Sequence, residues 1–117
     1  MAVHYVDLDD TYDLRSSGVL NLELIVGDGQ PHYTVSSFLN QERIGTEENI
    51  RIGTVAEVRN KKLMIVVVVQ DRLQETNWTS FTATLKQGSN TVTFGPYKKE
   101  AENHMDTIIY TLKISIQ

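Results

Sequence analysis

The chain has 117 residues, no Cys, 11 Lys plus Arg against 15 Asp plus Glu, and a formal net charge of −4. One domain is the default at this length, large enough to bury a core without a disulfide or metal staple. The missing Cys excludes a disulfide framework, a thiolate zinc site and a cysteine nucleophile, and the acidic balance lacks the basic footprint of a nucleic-acid binder.

β-branched and aromatic residues (Val, Ile, Thr, Tyr, Phe, Trp) make up about a third of the chain, while Ala occurs four times. Such side chains fit a pleated, half-buried surface, and a chain poor in Ala has little to favour a helix. The composition predicts an all-β domain.

Period-2 alternation supports this along the chain. A short strand is expected at Val3 to Leu8. From Gly18, Leu20, Leu22, Leu24 and Val26 share one face, with Ile25 the exception opposite. Gly27-Asp28-Gly29 supplies a turn and Pro31 opens the next strand, where Tyr33, Val35, Ser37 and Leu39 face one way. The polar stretch Asn40 to Asn49 has no period and reads as a loop. Ile50, Ile52, Thr54, Ala56 and Val58 alternate as a further strand, with Gly53 a candidate bulge. After a turn at Asn60-Lys61, Leu63 to Val69 is an unbroken apolar run. That pattern predicts a central strand covered on both faces, and its charged flanks guard against aggregation. Seven apolar residues fall far short of the about 20 that span a bilayer.

From Thr76 to Lys86, Phe81, Ala83 and Leu85 oppose Trp78, Ser80, Thr82 and Thr84. Gln87-Gly88-Ser89-Asn90 then signals a hairpin into Thr91 to Phe94. Pro96 to Asp106 reads as a second polar loop with a helical turn near Lys98 to Glu102. Ile108, Tyr110, Leu112, Ile114 and Ile116 form the last apolar face. The sum is about eight strands in one domain, residues 1–117. A single-domain antiparallel β-sandwich covers one apolar face per strand, and a small β-barrel is the alternative.

Asp7, Asp9, Asp10 and Asp13 supply the whole net charge, because acids and bases cancel from residue 14 onward. Carboxylates converging from one loop are what Ca²⁺ requires, and Asp28 or Asp71 would complete such a site from a second loop. The spacing does not match an EF-hand, and the plainer reading is a solvated acidic turn. His4, His32 and His104 lie in different segments without zinc-binding spacing. No serine sits in GxSxG or SxxK, and no helix follows Gly27-Asp28-Gly29 to hold a phosphate. Catalysis is therefore not expected; an enzyme would have to pair His32 or His104 with a carboxylate in one pocket. The basic clusters Arg59, Lys61, Lys62 and Lys98, Lys99 read as solvated loop ends.

Trp78, with Asn77 and Tyr33, completes the candidates as a ligand or interface residue. Its strand looks central, which predicts Trp78 at the edge of the core. Exposed instead, it would stack on a sugar or anchor a protein contact.

These readings favour a non-catalytic sandwich acting by surface interaction, as a self-assembling subunit or a protein-binding module. The partner is then a protein, a homo-oligomer included, with no nucleic acid and no transmembrane segment. No cofactor is expected for such a sandwich. A calcium-dependent or carbohydrate-binding module is the alternative, with Ca²⁺ the candidate cofactor, and a small His/carboxylate enzyme comes third. The start MAVHYVDLDD has no basic or apolar leader pattern, so the expectation leans to the cytoplasm without fixing a compartment.

Overall fold

The computed structural model describes residues 2–73 and 76–117. Nine strands form among them: β1 (Val3–Tyr12), β2 (Leu20–Gly27), β3 (Tyr33–Leu39), β4 (Glu42–Gly45) and β5 (Asn49–Gly53), then β6 (Lys62–Gln70), β7 (Trp78–Gln87), β8 (Asn90–Glu100) and β9 (Thr107–Ile116). One helical turn, α1 (Val55–Val58), joins β5 to β6. A five-stranded sheet in the order β1-β9-β6-β3-β4 faces a four-stranded sheet in the order β5-β2-β7-β8. The fold is an all-β sandwich of two open sheets, and no barrel closes.

The alternation of each strand builds the layer between the sheets. Leu63, Ile65, Val67 and Val69 of β6 are buried, as are Ile108, Tyr110, Leu112, Ile114 and Ile116 of β9. They meet Leu20, Leu22 and Leu24 of β2 and Phe81, Ala83 and Leu85 of β7 from the other sheet. Fully burying one such side chain is worth about 1.5–3 kcal/mol, so this layer is the main source of stability. Several polar groups inside it are paired. The Tyr110 hydroxyl bonds Thr79 at its hydroxyl (2.7 Å) and its carbonyl (3.1 Å). The Tyr12 hydroxyl donates to Gln87 Oε1 at 2.8 Å, and the Gln87 amide donates to the carbonyls of Arg15 and Gly18. One buried glutamine thereby pins the β1–β2 loop to the end of β7.

Five expectations need correction. The first strand continues to Tyr12 and runs parallel to β9, so the sandwich is not wholly antiparallel. The stretch after Asn40 is not all loop, because β4 pairs with β3 across it. Alternation from Ile50 to Val58 breaks after Gly53. There the Thr54 hydroxyl accepts the Glu57 amide, while the Glu57 carboxylate accepts the Thr54 amide, the reciprocal capping box that starts a helix. Pro96 to Glu100 extends strand β8 and forms no helical turn; at a sheet edge a proline removes no ladder hydrogen bond. Finally, β6 is central, but only one of its faces is covered: Met64, Val66 and Val68 remain partly exposed.

Other details match the sequence reading. The β2–β5 ladder slips by one residue between Leu20 and Asn21, beside Gly53. Gly88 opens the two-residue β7–β8 turn at φ 59°, the left-handed position that a tight hairpin demands first.

Two substitutions test the core. Leu112→Ala should cost about 2–5 kcal/mol in urea unfolding, because the flanking strands cannot collapse onto the cavity. Ser37→Ala should be neutral or stabilising in the same assay, since the buried Ser37 hydroxyl has no partner among the described residues.

Candidate functional site

The four aspartates do not converge. Asp7, Asp9 and Asp10 lie within β1, a strand rising about 3.3 Å per residue, and Asp13 follows its end. Asp7 and Asp9 project from the outer face of the five-stranded sheet, whereas Asp10 shares the inward side of β1 with Tyr12. Asp10 caps the Thr11 amide at 2.9 Å and approaches the Tyr97 hydroxyl, whose pKa is raised by burial and then by the Asp10 charge. Asp13 accepts from the Gln117 side-chain amide at 3.2 Å. Asp28 and Asp71 belong to loops at the other end of the sandwich, where β2 and β6 terminate. Among the described residues, no three His, Asp or Glu side chains form a group that could hold a metal ion.

Trp78 is 43% exposed at the start of β7, which corrects its expected place at the edge of the core. It projects from the outer face of the four-stranded sheet, the face that also carries Ile25, 57% exposed. The Trp78 carbonyl accepts from Gln30, and the neighbouring Asn77 carbonyl accepts from the Ala101 amide at 2.7 Å. Tyr33 belongs to the other sheet, where its hydroxyl donates to Glu48 at 3.1 Å. That hydrogen bond, then burial and the Glu48 charge, raise the Tyr33 pKa. The three ligand candidates therefore do not form one site.

His32 and His104 are exposed, and neither pairs with a carboxylate among the described residues. His4, which sequence reasoning left aside, does so: its Nε2 lies 2.9 Å from Asp106 Oδ2. Asp106 is buried between β8 and β9, and it also accepts the backbone amides of Ala2 and Asn103. It ties the start of β1 to the start of β9. Its neighbour Asp71 is buried as well and accepts from Gln30 at 3.0 Å. The backbone joins the two aspartates, as the Asp71 amide donates to the Asp106 carbonyl at 2.9 Å.

Among the described residues, no strand or helix forms a layer over the outer face of the five-stranded sheet. Tyr5, Ile109, Val68 and Thr34 stand in register across four strands, and Asp7, Thr111, Val66 and Ser36 form the next row. The third row runs Asp9, Lys113, Met64, Phe38 and Arg43, with the Arg43 guanidinium 5.5 Å from the Phe38 ring centre. A sheet face meant for water alternates to polar residues. This one keeps Val66, Val68, Met64, Ile109 and Phe38 at its centre, with Tyr5 72% exposed at its side. α1 packs on β5, at the edge of the other sheet. Near the foot of the same face, Asn40, Gln41, Lys62, Met64 and Lys113 line a shallow depression of about 590 Å³. The signal for this face in the sequence was the unbroken run Leu63 to Val69.

No family model, no curated protein and no solved structure matches the chain. Among the described residues, no helix is long and apolar enough to cross a membrane.

The Asp106 contacts have a consequence in acid. The His4 hydrogen bond above all, then the Ala2 amide, lower the pKa of Asp106 against the opposing effect of its burial. The folded state therefore binds this proton less readily than the unfolded one. The resulting stability is present above the ordinary carboxylate pKa of about 3.9 and is lost as pH falls through the lowered value. Asp106→Asn should flatten the pH dependence of urea unfolding in that acid window. At neutral pH it should speed amide exchange over Val3 to Val6, measured by mass spectrometry.

Proposed function

We propose that this is a non-catalytic β-sandwich acting by surface interaction, as a self-assembling subunit or a protein-binding module, through the outer face of its five-stranded sheet. One observation carries the reading. The central strand β6 is apolar on both faces, and among the described residues the fold fully buries only one of them. Met64, Val66, Val68, Ile109 and Phe38 are half-buried there, and apolar side chains grouped outside a core mark an interaction site more often than chance. The mixed rim supports this, with Asp7 and Asp9 on one flank and Arg43 on the other, because charges around an apolar centre select partner and orientation.

A photo-reactive amino acid at Val66 tests the reading. It should cross-link to a second polypeptide, whether another copy of the chain or a different protein, while the same residue at Thr84 on the opposite sheet should not. Absence of any adduct at position 66 across a concentration series would overturn the proposal.

The exposure of Trp78 beside Asn77 supports a second reading, a carbohydrate-binding module in which the indole stacks on a sugar face. Trp78 is the sole Trp, so its fluorescence reports on that position alone. Titration with oligosaccharides should shift its emission and saturate; an unchanged spectrum throughout a glycan panel would eliminate this reading.

A further inference from the structure

We infer that the occupant of this face is a second copy of the chain, packed sheet against sheet about a twofold axis that runs along β6. The inference rests on the proposed role of the face as an interaction surface. It adds the partner and its orientation.

The strand order supplies the symmetry. β6 is the middle strand of five, with β1 and β4 at equal distances on either side. Two copies can face each other through a twofold axis in the plane between them in two simple ways. With the axis across the strands, β1 lies over β1 of the second copy, and Asp7 and Asp9 meet the same two aspartates. With the axis along β6, β1 lies over β4 instead. Asp9 and Arg43 occupy one cross-strand row, so this arrangement brings Asp9 of each copy opposite Arg43 of the other. Among the described residues neither forms an ion pair within the chain, which leaves both charges free for the contact. Like charges opposed across an interface disfavour the first arrangement, and opposite charges favour the second.

The apolar centre is also self-complementary about this axis. Val66, Val68 and Met64 lie on it and meet their own counterparts, and the hydroxyl of Thr111 comes opposite that of Ser36. β9, β6 and β3 share about seven residues, whereas β4 has four, so the overlap covers about seven residues on each of these three strands and only four on each of β1 and β4. At about 4.8 Å between strands and about 3.3 Å per residue this gives a face of roughly 460 Å². Two copies then cover roughly 920 Å², the size of a weak, transient contact, just under the ~1,000 Å² of a stable interface. A dimer of this size is reversible and dissociates on dilution.

Light scattering after size exclusion tests the assembly on the intact chain, loaded from micromolar to millimolar concentration. The mass should rise from 13.3 kDa towards twice that value. Asp9→Arg and Arg43→Asp should each weaken dimerisation by about tenfold or more, and the double variant should recover most of that loss. Both positions are exposed, so circular dichroism should confirm an unchanged fold in all three proteins. A monomer at every concentration overturns the inference, as does a dimer indifferent to both single substitutions. A dimer weakened by each substitution but not recovered in the double variant overturns the axis along β6. The photo-reactive probe at Val66 separates the two levels of the proposal. Adducts with a different protein from a chain that stays monomeric refute the twofold dimer and leave the interaction face standing; no adduct at all removes both.

Discussion

The architecture depends on how β6 shares out its apolar side chains. A continuous run of seven apolar residues satisfies its backbone only if strands pair on both sides, which β3 and β9 do over nearly its whole length. Pleating then sends alternate residues to opposite faces. Leu63, Ile65, Val67 and Val69 enter the layer between the sheets, and that layer orders β2 and β7 across from them. The other half of the run, Met64, Val66 and Val68, stays partly exposed among the described residues. The strand at the centre of the sheet that lines the core is for that reason also the strand that leaves apolar side chains outside it.

Much of this was legible in the sequence because strands with one buried face announce it by period 2. The inner faces of β2, β3, β7 and β9 follow the alternation read from residues 20–26, 33–39, 81–85 and 108–116. Where the signal failed, a local interaction competed with it. Thr54 and Glu57 sit three apart and cap each other, so Ala56 and Val58 belong to a helical turn despite fitting a strand pattern. Lys98 to Glu100 is strand without an apolar face, and Glu42 to Gly45 offers only Ile44 to the core, because edge positions ask for hydrogen bonding on one side and solubility on the other. Their polarity is what an edge needs, and it is also what a loop looks like.

The functional features were less legible, and for a different reason. Pairing of residues distant in sequence leaves no local trace. The contact between His4 and Asp106 spans 102 positions, and that between Tyr12 and Gln87 spans 75. Nothing near His4 distinguishes it from His32. Trp78 was misplaced because its strand was read as buried on both sides, when only the side of Phe81, Ala83 and Leu85 turns inward. A tract such as Leu63 to Val69 states that both faces are apolar; what covers each is decided by the rest of the fold.

The acidic segment can now be given a physical role that its composition alone did not reveal. β1 is a ten-residue edge strand, and a long unpaired edge invites another chain to add to the sheet. Asp7, Asp9 and Asp10 place charge on both of its faces, so a second β1 approaching side by side brings like charges together at several levels. β8, the long edge of the other sheet, is guarded differently, by Pro96, Lys98 and Lys99. Guarding these two long edges leaves the outer face, with its apolar centre, as a less guarded route of association. On that face the same Asp7 and Asp9 lie to one side of β6 and Arg43 to the other, so the charges that repel an edge partner favour a face partner in one orientation. Of the four aspartates that the sequence offered as candidate metal ligands, Asp7, Asp9 and Asp10 are, in the fold, spaced along a strand where repulsion rather than coordination is their natural chemistry, and Asp13 follows its end.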